Sequence, residues 1–307
     1  MKKFYDTIVI GGGPAGYTAA LYTARAGLDT LVIEKLYAGG QMTQTTQIDN
    51  YPGFQDGIDG FTLGMNMQLG AQRFGVETRN AEVLSARLDG PEKTVVTSDG
   101  EFIAKTVIIA TGAGHRHLGL EKEEALTGKG VAYCAACDGM FYRGKTVAVV
   151  GGGNSAVAEA LVLSRVAKKV YLIHRRDSLR ADKVYHEQLE KAENVEFKWN
   201  SAVVELLHGE KLTGVKLRDV HSGMETEVEL DGLFVSIGRN PVTELFRGQL
   251  ELDGAGYIVA DESTRTNIPG VFAIGDVRTK AVRQIITAAA DGAVAAYYAE
   301  EHLNRGI

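Results

Sequence analysis

Two residues stand out for chemistry. Cys134 and Cys137 are the only cysteines in a chain of 307 residues, and they are spaced C-x-x-C. Thiols at that spacing can close and reopen a disulfide, with a thiolate as the attacking group. A structural zinc site would need about four Cys or His ligands, often as two such pairs. No second pair exists, and the seven histidines are scattered. The start, Met1 to Ile10, carries Asp6 within its apolar run and leads straight into glycines, so it reads as a first strand and not as a secretion signal. A framework of structural disulfides is therefore not expected, and a redox-active dithiol is. Asp138 follows Cys137 directly. A carboxyl in low-polarity surroundings can hold and deliver a proton. Asp138-Gly139 is equally the composition of a turn, and the residues alone leave both roles open.

The elements that must position this pair announce themselves through glycine, 37 of 307 residues. The apolar run Ile8-Val9-Ile10 leads into Gly11-Gly12-Gly13-Pro14-Ala15-Gly16 and then an Ala-rich helix from Tyr17 to Ala26. A second strand, Thr30 to Ile33, ends in Glu34. In G-x-G-x-x-G the first glycine makes the tight turn, the second lets backbone approach a pyrophosphate, and the third lets the helix pack close to the strand. The helix N-terminus then offers free N–H groups to the phosphates. The same plan returns later. Val147 to Val150 leads into Gly151-Gly152-Gly153-Asn154-Ser155-Ala156, a helix to about Ala167 follows, and strand Lys169 to Ile173 ends at His174-Arg175-Arg176, with Arg180 beyond. Glu34 lies 23 residues after Gly11, and His174 lies 23 residues after Gly151. An acid at that position suits an unmodified ribose; arginines suit a 2′-phosphate. Two different dinucleotides follow, FAD at the first turn and NADPH at the second.

The rest of the chain repeats this organisation. Val107 to Ala110 with Thr111-Gly112 closes the first half, and Leu233 to Gly238 closes the second. Strand-rich stretches precede each closure, Val76 to Thr106 and Val195 to Leu230, with Asp89-Gly90 and Asp99-Gly100 as hairpin turns. A tail of 66 residues follows Pro241; it contains Val271 to Asp276 and a helix from about Gln284 to Leu303, and periodicity does not say which half it completes. Composition excludes other classes. Hydrophobic residues at 45% and charged residues at 23% describe a folded domain. A net charge of −6 argues against a broad nucleic-acid surface, and no apolar run is long enough for a membrane span. The expected compartment is the cytoplasm.

Taken in order, these pieces resemble the low-molecular-weight thioredoxin reductase family. The resemblance rests on Gly11 to Gly16; Gly39-Gly40-Gln41; Ile48-Asp49-Asn50-Tyr51-Pro52-Gly53; Ala110-Thr111-Gly112; Cys134 to Gly139; Gly151 to Ala156; His174 to Arg176 with Arg180; and Gly275-Asp276-Val277 with Arg283-Gln284. It implies an α/β fold of two Rossmann-like three-layer nucleotide-binding domains, the NADPH domain inserted into the FAD domain. The implied boundaries are 1–114 and 244–307 for FAD, and 115–243 for NADPH and the dithiol. It implies that Asp276 binds the ribityl chain, with Arg283, Gln284 and Ile285 beside the flavin. Lys35, Gly40, Gln41, Asn50, Val83 and Gly275 join the FAD contacts by the same resemblance. Glu159, Ile237 and Gly238 join those to NADPH.

The resemblance further implies a homodimer that alternates between two domain orientations, with thioredoxin as protein substrate. Electrons would pass from NADPH through FAD to the Cys134–Cys137 pair, Cys137 meeting the flavin, Cys134 attacking the substrate, and Asp138 handling the proton. His115 and His117 are expected to be solvated linker residues, and Tyr22, Tyr51 and Tyr142 packing residues. Relatives that use ferredoxin, or oxygen as dithiol oxidases, are expected to lack the basic cluster, whereas Arg175, Arg176 and Arg180 are present here. Reductases serving peroxiredoxins carry an extra N-terminal module, and the larger reductases carry a C-terminal redox pair; neither is expected. A non-catalytic redox sensor is disfavoured by the intact dithiol.

Overall fold

A computed structural model describes residues 3–45 and 47–304. The chain opens with β1 (Lys3–Ile10), α1 (Pro14–Arg25), β2 (Thr30–Glu34) and α2 (Gly60–Gln72), then β3 (Glu77–Asn80), β4 (Val83–Arg87), β5 (Lys93–Thr97), β6 (Gly100–Ile109) and β7 (Ala113–His115). A middle stretch holds α3 (Glu123–Leu126), β8 (Val131–Ala132), α4 (Ala135–Asp138), β9 (Thr146–Val150), α5 (Asn154–Ser164), β10 (Lys169–Ile173) and α6 (Lys183–Glu190). Five more strands complete it: β11 (Val195–Lys198), β12 (Ser201–His208), β13 (Leu212–Asp219), β14 (Glu225–Glu229) and β15 (Gly232–Val235). The tail adds β16 (Arg239–Pro241), β17 (Val271–Ala273) and α7 (Ile285–Asn304).

Residues 1–114 and 240–307 form one compact unit, and residues 115–239 form the other. In the first, among the described residues, a seven-stranded sheet runs β3-β2-β1-β6-β5-β4, with β17 also on β6. β6 is the organising strand. One edge pairs in parallel with β1. Its other edge is shared: Gly100 to Ala104 pairs with antiparallel β5, and Val107 to Ile109 with parallel β17. The tail thereby enters the sheet of the first unit. Side-chain alternation then builds two cores. Ile8, Ile10, Leu31, Ile33, Val107 and Ile109 pack with Phe246, Leu250 and Ile258. Val9, Val32 and Ile108 face the other way, onto Ala15, Tyr17 and Ala19 of α1 and Ala288, Ala295 and Ala299 of α7. Strands buried on both faces read as near-continuous apolar runs, which is why periodicity 2 is invisible in Ile8 to Ile10.

The second unit repeats the plan on an all-parallel sheet, β11-β10-β9-β15-β8. Val147, Val149, Val170 and Leu172 face Ala156, Val157, Ala160 and Leu163 of α5. Ala148, Val150, Ile173 and Leu233 face the antiparallel β12-β13-β14 layer through Val203, Leu206, Val215 and Leu217. Local differences from the sequence reading are few. The helix α5 ends at Ser164, because Arg165 and Val166 close it with bonds back to Val162 and Leu163. β6 begins at Gly100, well before the apolar Val107, because hairpin pairing with β5 extends it. Tyr22 is 47% exposed on α1 and is no core residue, whereas Tyr142 is buried edge-on to Phe234 at 5.1 Å and Tyr51 stacks on Phe54.

Candidate functional site

In the first unit, β1 ends and α1 begins across the turn Gly11 to Pro14. A Cβ on Gly16 would stand 1.9 Å from the Gly11 carbonyl oxygen, so only glycine lets the helix sit this close to the turn. Gly13 is the helix N-cap, with no side-chain cap and Pro14 at the first position. The first-turn N–H groups are thus left for an external acceptor. Glu34, at the end of β2, accepts the Gly12 N–H at 2.6 Å and the Leu36 N–H at 3.2 Å. A carboxylate accepts about four hydrogen bonds, so capacity remains for ribose hydroxyls.

Distant segments converge on this turn. A Cβ on Gly40 would lie 3.4 Å from the Gly13 Cα, and one on Gly275 would lie 3.0 Å from the Ala15 Cβ. Gln41 donates through Nε2 to the Ala113 carbonyl, and Asn50 through Nδ2 to Gln284 Oε1 at 3.1 Å, 234 residues away. The Ala110 N–H donates to the Ile10 carbonyl, and Thr111 Oγ1 donates to the Val242 carbonyl at 2.7 Å, beside Gly112. Arg283 lies 4.1 Å over the Tyr257 ring and donates to the Arg278 carbonyl at 3.2 Å. Its Nε stands 3.5 Å from the Asp276 carbonyl. Ile285 packs on Met42, Ile48 and Leu63. Lys35 is paired at the surface with Glu82, at 2.7 Å, and Val83 is half-buried at the start of β4.

The second unit presents the same turn with other chemistry. Gly153 caps α5, again with no side-chain cap, and Asn154 exchanges hydrogen bonds with Asp182 at 2.9 and 2.8 Å. Ser155 is exposed and Ala156 fully buried. The His174 ring lies directly on Gly152; a Cβ there would come within 2.3 Å of it. His174 is 6% exposed, and burial, then Arg180, Arg176 and Arg175, lower its pKa. It is a neutral wall of the turn and does not begin the basic cluster, as the sequence reading had it. The charge belongs to Arg175, Arg176 and Arg180, all exposed. The Arg180 N–H donates to the Gly152 carbonyl at 2.7 Å, which pins the arginine loop to the glycine turn. Glu159 on α5 is pushed up to about 8, first by burial, which favours its neutral form. Ile237 is half-buried, and the Gly238 carbonyl accepts the Arg116 N–H.

Between β8 and β9 of this unit lies the dithiol. Cys134 caps the single turn α4 and is joined to Cys137 by a disulfide, with Cα atoms 5.3 Å apart. The N–H groups of Cys137 and Asp138 donate to the Cys134 carbonyl at 3.2 and 3.0 Å. Burial pushes Asp138 up to about 6. Tyr142 is pushed up to about 12 by burial, with the Asp138 and Asp231 charges adding.

One expectation fails here. His115 is half-buried and not a freely solvated linker residue: it stacks on Tyr133 at 4.8 Å and is pushed down to about 4 by burial, Arg239 and His117. His117 is exposed, but its Nδ1 lies 2.8 Å from the Tyr133 hydroxyl, which donates to Glu123 at 2.9 Å. Glu123, 3% exposed, also accepts the Leu118 and Gly119 N–H groups. Tyr133 adjoins Cys134, and this cluster braces the residue before the dithiol. No local spacing signals it, since its members are joined only by the fold.

The family model for pyridine nucleotide-disulphide oxidoreductases matches residues 5–292. The chain belongs to this family. A thioredoxin reductase of Streptomyces clavuligerus is 51% identical over 99% of this chain and 95% of its own length. That of Listeria monocytogenes is 48% identical over 98% and 95%. The crystal structure of thioredoxin reductase from Streptococcus pyogenes superposes with a TM-score of 0.91, at 45% identity over 99% of this chain and all of that one.

Pyridine nucleotide-disulphide oxidoreductases work with a flavin and a nicotinamide dinucleotide, and the residues fit both. Each unit ends a central strand in a glycine turn and an uncapped helix N-terminus, a ready set of N–H donors for a pyrophosphate. A carboxylate flanks one and three exposed arginines flank the other. Among the described residues, no helix is long and apolar enough to cross a membrane.

Proposed function

We propose that the protein is an NADPH-dependent thioredoxin-disulfide reductase, with FAD held by residues 1–114 and 244–307 and NADPH by residues 115–243. The observation that carries this is the Cys134–Cys137 disulfide set in the same unit as an arginine-flanked glycine turn. When bound, FAD would supply hydride acceptance from the nicotinamide and two-electron reduction of a disulfide. The chain's own groups do the rest. Glu34 and the α1 N-terminus hold the FAD ribose and pyrophosphate, Asp276 the ribityl chain. Arg175, Arg176 and Arg180 hold the 2′-phosphate of NADPH. Cys137 receives the electron pair, which frees Cys134 as a thiolate. Cys134 then attacks the substrate disulfide, and Cys137 resolves the mixed disulfide. Asp138, with its raised pKa, holds a proton below about pH 6 and hands it to the leaving thiolate.

The first test is anaerobic mixing of the yellow protein with NADPH and, separately, NADH. Rapid bleaching of flavin absorbance by NADPH, much slower with NADH, followed by reoxidation on adding thioredoxin, is the expected result. No bleaching by either nucleotide would sink the assignment and direct attention to ferredoxin or oxygen as redox partner.

A further inference from the structure

Asp291 lies on α7, inside the interface with α1 and the sheet, and is 6% exposed. Two cations converge on it. Arg278 donates through Nε and Nη2, both at 2.8 Å, one to each carboxylate oxygen. Lys280 donates through Nζ at 2.9 Å, and also to the Thr287 carbonyl at 3.2 Å. The side chains of Arg278, Lys280 and Asp291 are 2%, 6% and 8% exposed. Burial pushes the Asp291 carboxyl up, but the two cations outweigh it and hold the group below its usual range. Arg278 is satisfied further by the Thr279 carbonyl at 2.9 Å, with Glu262 at 3.7 Å.

Stability alone is a poor reason for such a cluster. Desolvating each ion costs several kcal/mol, and replacing a buried ion triad with apolar residues of similar volume is often neutral or stabilising. What an apolar replacement cannot do is accept a hydrogen bond. Asp291 Oδ2 accepts the N–H of Gly275 at 2.8 Å. Gly275 sits at φ +69°, against Ala15 of the first glycine turn, and opens the 3₁₀ turn Gly275–Val277 that carries Asp276. The triad thus reaches Asp276 from two sides. Asp291 accepts the N–H of Gly275, the residue before it, and Arg278 lies two residues after it.

We propose that Asp291, oriented by Arg278 and Lys280, is a positioning residue for the cofactor site: it locks the Gly275 turn so that the Asp276 carboxylate faces the ribityl hydroxyls. This rests on the flavin reading above. The role is one of orientation, since Asp291 itself is buried behind the turn.

The test is flavin retention. Wild type, D291N and the apolar triple variant R278M/K280M/D291L are purified with FAD, checked by circular dichroism for a cooperative melt, and diluted at a temperature where all are folded. Released FAD is followed by its fluorescence. The triple variant is expected to melt near wild type yet to bind FAD about tenfold more weakly or worse, the scale of one lost charge-assisted hydrogen bond. D291N, which keeps one acceptor oxygen, falls between. Unchanged FAD affinity in folded variants overturns the proposal, whatever their melting temperatures. If the triple variant does not fold, D291N decides alone: an affinity within about twofold of wild type rejects the role. A wild-type chain that binds no FAD overturns the flavin reading and this proposal with it.

Discussion

At the scale of single residues the chemistry turns on three carboxyls whose environments differ. Glu34 accepts two backbone N–H groups, whereas Asp138 and Glu159 are pushed up to about 6 and about 8 by burial. For Asp138 the consequence is kinetic. D138N cannot carry a proton, so dithiol–disulfide interchange should slow by about 10²–10⁴, the usual range for a lost general acid or base. The limb near pH 6 should vanish from the pH profile with it. An unchanged profile would assign that limb to another group. For Glu159 the consequence is thermodynamic. Its folded pKa lies above its unfolded one, so the neutral form's contribution is full below about pH 4.5 and is lost as pH rises through about 8. E159Q imitates the neutral acid. Melting temperatures of wild type and E159Q should match near pH 5 and diverge by pH 9, with wild type the less stable. Parallel curves across that range would show that Glu159 ionises normally.

At the scale of elements, the first unit packs α1 against α7, helices about 270 residues apart in sequence. Gly292 makes that contact possible: a Cβ there would lie 2.5 Å from the Ala15 carbonyl and 2.7 Å from the Ala19 nitrogen. Both atoms are backbone and cannot swing aside. G292A should therefore push the helices apart and cost about 1–3 kcal/mol, read as a shift of the denaturation midpoint in urea. Since Ala15 is also what Gly275 leans on, flavin should be released more readily. A midpoint equal to wild type would mean that the helices separate without penalty. This contact also marks where sequence reading stops. The two glycine turns, their flanking strands and the dithiol were legible because each has its own local signature. The pairing of β17 with β6, the Asp291 triad and the stacking of His115 on Tyr133 were not. Each joins residues through tertiary packing, and an Asp in an Ala-rich helix or a His in a linker carries no local mark of its partner. The resemblance to a family reached the tail where periodicity did not.

At the scale of the whole molecule, charge sets a problem that local chemistry must solve. The chain carries a net −6, and its nicotinamide substrate is itself an anion. Long-range steering therefore does not favour the encounter, and on the proposed reading the attraction is local, from Arg175, Arg176 and Arg180 on one exposed loop. His174 adds nothing to it, being buried with a lowered pKa. Two results follow from this single arrangement. Exposed charges are screened over a Debye length of about 10 Å at 0.1 M salt, so KM for NADPH should climb steeply between low and high ionic strength while KM for NADH moves little. Removing the charges should do what salt does. R175A/R176A should cut kcat/KM for NADPH by about 10²-fold, the scale of two lost charge-assisted hydrogen bonds, and leave that for NADH within about twofold. Its remaining salt dependence should flatten accordingly. H174A makes the control, because it opens a cavity on Gly152 without changing charge. It should weaken both nucleotides alike, since it loosens the turn that holds the pyrophosphate common to them. If H174A instead separates NADPH from NADH, the imidazole reads the 2′-phosphate after all.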